Sequence, residues 1–438
     1  MKSLKQELED RGLLYQNSSE DLFEKFDKWE GSFYCGFDPT ADSLHLWNFI
    51  GFMVWVHLMR RGNKYIALTW GATWMIGDPG WKDAERSFLS MDDLDNNQKA
   101  ISNQISNILK NLESFTWDKF SYDFVNNKDF YTDMWYLDFL REVWKYITVN
   151  VMMSKDTVKK RIEDPSKSIS YTEFSYQLLQ GYDFCKLFKD DWVTLQIGWQ
   201  DQWWNLVTWT ELIRKKYESE TYALTWPLIT DSTGKKFGKS EGNAMFLSKQ
   251  KTSPYFIYQY FMNTPDEDVS RYLKMLTLIE TEEIDVLVKK HFETPENREG
   301  QKLLAYKVVE IVHWTSEAEL ALKISNFMFW SPHPTPLPEG EGIASRIDIL
   351  KWLNDDEINT FQNAMWGFEY SQENLFETIV KSWLADSNSQ ARQAVQSWAI
   401  HINEQKITDF NYDVSNDFIN DKVFLIRKGK KNFRLVVK

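Results

Sequence analysis

Short apolar runs ending in glycine or proline turns alternate, over the first half of the chain, with longer stretches whose apolar positions recur every three to four residues. The run Ser32-Phe33-Tyr34-Cys35 reads as a strand; it turns through Gly36 and Asp38-Pro39-Thr40 and enters a helical pattern from Asn48 to about Arg61, with Phe49, Ile50, Phe52, Met53 and Trp55 as its apolar positions. Lys64 to Thr69 repeats the device as a strand buried on both faces, followed by the turns Gly71-Ala72-Thr73 and Gly77-Asp78-Pro79. Residues 90–115 are helical by period, with Ile101, Ile105, Ile108, Leu109 and Leu112 on one face, and Asp123 to Asn127 reads as a strand at a sheet edge. Helices are then expected over 133–146, 155–162 and 172–184, and strands over 193–198 and 224–229. Successive strand-to-helix units predict a Rossmann-like, doubly wound parallel α/β sheet over residues 1–245.

From Pro254 to about Phe329 the pattern is helical throughout, giving an α-helical domain over 246–330. The proline-rich stretch beginning Ser331-Pro332-His333-Pro334 reads as a linker over 331–344, and 345–438 as a small α+β unit. A formal charge of −13 argues against a protein that coats nucleic acid through its overall field. A local basic patch, Arg427-Lys428-Gly429-Lys430-Lys431, reads equally as a solubilising hairpin turn or as an RNA contact. Two cysteines, Cys35 and Cys185, cannot make a zinc site alone. No run approaches the ~20 apolar residues of a membrane span, and the charged, amphipathic start fits a cytoplasmic location.

Three features could carry chemistry. The strand, turn and helix start from Tyr34 to Asn48 present backbone N–H groups and a helix N-terminus, which suits a nucleotide phosphate. Lys236-Phe237-Gly238-Lys239-Ser240 is by itself more often a solvated turn, but lysines on a mobile loop can close over a leaving pyrophosphate. Tyr176, Gln180 and Asp183, spaced i, i+4 and i+7, share one helix face; such a stripe makes a poor core and favours a polar pocket.

The stretch Tyr34-Cys35-Gly36-Phe37-Asp38-Pro39-Thr40-Ala41-Asp42-Ser43-Leu44-His45 resembles the first signature of class I aminoacyl-tRNA synthetases, in the form found in bacterial tyrosyl-tRNA synthetases, and Lys236 to Ser240 resembles the second. The likeness runs end to end and is strongest over the first 245 residues. It implies an enzyme in which the carboxylate of tyrosine attacks the α-phosphorus of ATP, giving tyrosyl-adenylate and pyrophosphate, before the tyrosyl group passes to tRNA(Tyr). A carboxylate needs no general base, so catalysis would be positioning and stabilisation of phosphate charge.

By this resemblance Thr40 and His45 contact the phosphates with Asn48 beside them, and Lys82, Arg86, Lys236, Lys239 and Ser240 gather around the pyrophosphate. Taken alone, Lys82 and Arg86 read as an exposed helix face. Tyr34 and Asp183 match the residues that bond the tyrosine hydroxyl and reject phenylalanine, a discrimination for which tyrosyl enzymes are the standard example. Asp78, Tyr176 and Gln180 would hold the ammonium group, Gln202 the carboxylate side, and Asn127 would support the pocket. Gly198-Trp199-Gln200-Asp201-Gln202-Trp203-Trp204-Asn205 resembles a family motif in which Asp201 takes the ribose hydroxyls; Cys35, Gly36, Asp38, Gly198 and Lys239 complete the ATP contacts. The segment 389–403 resembles a small RNA-binding module, making Arg392, Arg427, Lys428, Lys430 and Lys431 phosphate contacts for tRNA. The resemblance also implies an anticodon-side role for the helical domain, a homodimer, Mg2+ arriving with the nucleotide, and no protein-bound metal or organic cofactor.

Tryptophan is the anomaly, with 21 copies against 18 glycines where glycine ordinarily supplies roughly 7% of residues. Trp47, Trp70, Trp74, Trp81, Trp144, Trp199, Trp204, Trp209, Trp314, Trp383 and Trp398 stand where the resemblance leads to an expectation of glycine, whereas Trp203 matches a family tryptophan. Drift would scatter over many residue types. A series from one type to one other fits UGA codons that a few bacterial lineages read as glycine. Genuine indoles at 47 and 199 would instead favour a catalytically silent, RNA-binding relative. The tryptophan-specific sister enzyme is the other alternative, disfavoured by the phenol-binding pair Tyr34 and Asp183.

Overall fold

A computed structural model of the chain describes residues 2–28, 31–76, 90–153, 158–159, 162, 164, 169–230, 232, 237–240, 243–329, 346–365, 367–429 and 432–438. The chain divides into one unit formed by Met1–Ser253 with Tyr260–Trp314 and a second formed by Pro254–Gln259 with Thr315–Lys438.

In the first unit the apolar runs become β2 (Ser32–Phe37), β3 (Lys64–Thr69), β4 (Tyr122–Asn126), β5 (Leu195–Trp199) and β6 (Tyr222–Trp226), joined by a two-residue strand β1 (Gln16–Asn17) too short to leave a pattern in the sequence. The sheet order is β1-β6-β5-β2-β3-β4. β2 runs parallel to both β3 and β5, and only β1, on β6, is antiparallel. The chain therefore builds outward from β2 through β3 to β4, then returns to the other side of β2 for β5 and β6. That reversal opens a crevice beyond the carboxyl ends of β2 and β5, where ligands bind in sheets of this kind.

The helix Asn48–Met59 buries nearly every side chain, as its almost wholly apolar composition requires. Met91–Thr116 is amphipathic and is capped by Ser90, whose hydroxyl accepts from the Asp93 N–H at 3.1 Å. The helix expected over 172–184 extends from Tyr171 to Asp191. The one expected over 133–146 is broken: Tyr136–Glu142 ends at Val143, whose φ of −120° and ψ of −58° leave the helical region, and a 3-10 turn, Trp144–Tyr146, follows. Val143 is buried in the core that also holds Tyr34, Phe184 and Leu212, so packing overrides the local helical pattern. The strand expected over 224–229 sits slightly earlier, at Tyr222–Trp226. Much of the helix expected over 155–162, and all of the linker over 331–344, lie outside the described residues.

The second unit carries a five-stranded sheet built from Phe368–Glu369, Ile400–Ile402, Gln405–Lys406, Val423–Lys428 and Asn432–Val437. The helices Leu375–Lys381 and Asn388–Gln396 share a core with it through Ile379, Val395, Phe424 and Ile426. Asn374 and Asn354 each begin a helix with a capping box, closed by Glu377 and Glu357. Among the described residues no helix is long and apolar enough to cross a membrane.

Candidate active site

Four of the five parallel strands deliver a segment with polar residues to the same edge of the sheet. β2 leads into Asp38-Pro39-Thr40 and on to His45; β3 leads to Gly71-Ala72-Thr73; β4 ends at Asn127; β5 ends in the turn Gln200–Gln202.

Asp183, on the helix Tyr171–Asp191, reaches the segment that follows β4. It is fully buried, and Asn127 Nδ2 donates to its Oδ2 at 2.9 Å while the Tyr131 hydroxyl donates to its Oδ1 at 2.9 Å. Asn127 is itself locked: its Nδ2 donates to Thr73 Oγ1 at 2.7 Å and its Oδ1 accepts from the Ala72 N–H at 2.8 Å. Burial pushes the Asp183 carboxyl up to about 7, against the opposing pull of the Asn127 and Tyr131 hydrogen bonds. The hydroxyl of Tyr34 is buried and has no hydrogen-bond partner among the described residues. Burial, and then the nearby Asp183 charge, raise its pKa well above the ordinary phenol value. Gln180 Oε1 and Gln196 Oε1 are likewise buried without a partner among the described residues; Gln196 pairs with Tyr34 across β5 and β2. Buried polar atoms are rarely left unbonded, which singles these three out as candidate ligand contacts. Asn127 and Tyr34 thus lie beside Asp183, and Gln180 shares its helix.

Thr73, Tyr131 and Gln196 were missed. The signal for Thr73 was its place in the turn and helix start that follow β3; Tyr131, four residues after Asn127, gave none. Tyr176 lies on the same helix as Gln180 and Asp183. Asp78, Lys82, Arg86 and Lys236 lie outside the described residues.

The two motif loops meet. The Leu46 N–H donates to Met245 O and the Leu247 N–H to Leu44 O, both at 2.8 Å, tying the turn after β2 to the segment that follows the hairpin Lys239–Ser240 and Asn243–Ala244. Gly238, at φ +77°, passes so close that a methyl group there would stand 3.1 Å from the Trp47 backbone nitrogen. His45 is half-buried, packed on Phe246 with ring centroids 4.4 Å apart. Burial, and then the Lys251 charge, lower its pKa, so the imidazole is neutral at pH 7. Asn48 Oδ1 accepts from the His45 N–H at 3.0 Å, so Asn48 holds this turn in shape. Thr40 is exposed at the turn, and Asp38 follows the end of β2. Cys35 is buried, and burial pushes its thiol up to about 12, so it is no nucleophile at neutral pH. Gly36 lies under the indole of Trp70, which a methyl group there would meet at 2.3 Å, and Gly198 is the last residue of β5 but one, before Trp199. Asp201 and Gln202 form the turn after β5, where Gln202 Oε1 accepts from Asn205 Nδ2 at 2.9 Å. Among the described residues no group of three or more His, Cys, Asp or Glu side chains is placed to hold a metal ion.

In the second unit Arg392 is exposed on its helix, its guanidinium 5.2 Å from the Phe376 ring and 5.8 Å from Phe410. Arg427 is paired with Glu404 at 3.1 Å, and Lys428 donates to Leu384 O at 2.8 Å. Lys430 and Lys431 lie outside the described residues.

Fold and crevice together define a class I synthetase, and the chain belongs to that family: the model described as tRNA synthetases class I (W and Y) matches residues 28–329. Within it the chain belongs with the tyrosine–tRNA ligases. The model described as the tyrosine–tRNA ligase SYY-like C-terminal domain matches residues 357–436. A tyrosine–tRNA ligase of Streptococcus pneumoniae is 41% identical over 98% of both chains, and one of Streptococcus gordonii is 40% identical over the same shares. A C-terminally truncated mitochondrial tyrosyl-tRNA synthetase of Aspergillus nidulans is similar in structure, with a TM-score of 0.68 and 28% identity, over 75% of this chain and 95% of that one.

Proposed function

We propose that this chain is a tyrosine–tRNA ligase which activates L-tyrosine with ATP and transfers it to tRNA(Tyr), and that the pocket around Asp183 reads the substrate's phenol. The observation that carries this reading is the pairing of a locked buried carboxyl, held by Asn127 and Tyr131, with the unbonded Tyr34 hydroxyl on β2. A phenol entering between them would donate to Asp183 and accept from Tyr34, satisfying both at once. Gln180, with Tyr176 and Asp78, would hold the ammonium group, and Gln202 would lie on the carboxylate side. That carboxylate would then face ATP bound beyond β2 and β5, with Cys35, Gly36, Asp38, Gly198 and Asp201 along the adenosine and Thr40, His45 and Asn48 toward the phosphates.

The carboxylate oxygen attacks the α-phosphorus and pyrophosphate leaves. A neutral His45 donates a hydrogen bond to phosphate oxygen without carrying full charge, while Lys82, Arg86, Lys236, Lys239 and Ser240 supply positive charge and donors as the pyrophosphate forms. Mg2+ would travel with the nucleotide. The ribose hydroxyl of the tRNA terminus then displaces AMP. Arg392, with the patch around Arg427, Lys428, Lys430 and Lys431, would contact tRNA phosphates. We further propose a cytoplasmic homodimer. Tyrosine-dependent exchange of pyrophosphate into ATP, followed by charging of tRNA(Tyr), tests the reading; exchange supported equally by phenylalanine would overturn it.

A further inference from the structure

At five positions written as tryptophan the backbone takes a conformation that favours glycine. Among the described residues Trp117 (φ 62°), Trp192 (φ 54°), Trp314 (φ 76°), Trp383 (φ 57°) and Trp398 (φ 63°) all sit in the left-handed half of backbone space. Glycine enters that region freely, short polar residues at some cost, and a bulky aromatic residue only as an outlier. Trp314 goes further: with ψ at 158° it occupies a region that is essentially glycine's alone, and it interrupts the helical run Glu299–Phe329.

Trp383 and Trp398 occupy a position with a known chemical preference. After the helix Leu375–Lys381 the Trp383 N–H donates to Val380 O at 2.9 Å and the Leu384 N–H to Ile379 O at 3.2 Å. After Asn388–Gln396 the Trp398 N–H donates to Val395 O at 3.0 Å and the Ala399 N–H to Ala394 O at 2.9 Å. This pair of bonds is the Schellman closure of a helix, whose left-handed residue is usually glycine. The same chain supplies the comparison. After Leu4–Asp10 the Gly12 N–H donates to Glu9 O at 2.9 Å and the Leu13 N–H to Leu8 O at 2.8 Å, with Gly12 at φ 68°. Three of these indoles, moreover, have little burial to compensate: Trp117 is 88% exposed, Trp383 86% and Trp192 74%.

We infer that the residues written as tryptophan at 117, 192, 314, 383 and 398 are glycine in the protein the source organism makes, through codons it reads as glycine. Trp117 and Trp192 are outside the positions singled out by family resemblance, so backbone conformation reaches the conclusion on its own. The same reading clears the crevice. Trp70, whose buried Nε1 has no partner among the described residues, lies across Gly36, and Trp199 packs on Trp226 at the end of β5 with ring centroids 5.3 Å apart. Glycine at 70 and 199 would leave bare backbone at the carboxyl ends of the central strands.

The test reads residue identity directly, independently of any activity. Peptide mass spectrometry of the protein purified from its source is expected to find glycine at the five left-handed positions and tryptophan at Trp203, where φ is −46° and nothing asks for glycine. Tryptophan at those five positions would overturn the inference. In a recombinant pair, the full-length chain carrying Trp117→Gly, Trp192→Gly, Trp314→Gly, Trp383→Gly and Trp398→Gly is expected to unfold at higher denaturant than the chain as written; an equal or lower midpoint would count against it.

Discussion

Replacing Tyr34 with phenylalanine should move stability and specificity in opposite directions. The Tyr34 ring is fully buried, packed on Phe184 with centroids 5.2 Å apart, and its hydroxyl has no partner among the described residues. A buried hydroxyl left unbonded costs the ligand-free protein about 1–3 kcal/mol. Phenylalanine keeps the ring and its contacts, and the void left by one oxygen takes back only a few tenths of that at about 24 cal/mol per Å3. Tyr34→Phe should therefore stabilise the free protein by about 1 kcal/mol at the low end of the range. With tyrosine bound, the substrate phenol loses one hydrogen bond worth about 0.5–1.5 kcal/mol, so its kcat/KM should fall by up to about tenfold. Phenylalanine, which never made that bond, should lose little, and the tyrosine-to-phenylalanine ratio should narrow by the same factor. Urea unfolding without ligand, and ATP–pyrophosphate exchange with each amino acid, measure the two effects. A Tyr34→Phe protein that is less stable by 1 kcal/mol or more, or whose ratio is unchanged, would refute the reasoning.

Four further outcomes are expected. Because burial pushes the Asp183 carboxyl from an ordinary 3.8 to about 7, the folded state holds that proton more tightly and loses stability as pH rises between those values; Asp183→Asn should flatten this slope in unfolding midpoints taken at pH 5 and pH 8. Asn127→Ala strips the Ala72 N–H and Asp183 Oδ2 of their partners and should cost about 2–3 kcal/mol in urea unfolding, with a raised KM for tyrosine. Trp383→Gly should gain about 0.5–1 kcal/mol, the ~1–2 kcal/mol left-handed penalty less the extra freedom of an unfolded glycine, while Trp383→Ala gains nothing; Trp398→Gly should gain less, because Lys406 lies 3.8 Å over that indole. Arg392→Ala should leave pyrophosphate exchange unchanged but weaken tRNA binding, reducing the salt slope by about one phosphate contact.

Much of the fold was legible because parallel strands buried on both faces leave continuous apolar runs. β3 was read to the residue, and the starts of β2 and of the helix from Asn48 were read correctly. What was lost lay where tertiary packing decides. Val143 ends a helix that its local pattern would continue, and β1 exists only because Gln16 and Asn17 find the open edge of β6. In the crevice, the i, i+4, i+7 stripe placed Gln180 and Asp183 on one helix face, since helical spacing fixes direction. Tyr131 was invisible because its role depends on a turn bringing it to Asp183, which has no sequence period. Trp314, Trp383 and Trp398 stood out in the sequence as places where glycine was expected, whereas Trp117 and Trp192 became apparent only from φ.

The central claim is that Tyr34 and Asp183 read a phenol beside a site where ATP is split. Steady-state pyrophosphate exchange, on chain with glycine at the left-handed and crevice tryptophan positions, tests it most directly. Exchange should depend on tyrosine, with phenylalanine and tryptophan supporting little. Equal exchange with phenylalanine, or none with tyrosine from a folded chain, would contradict it.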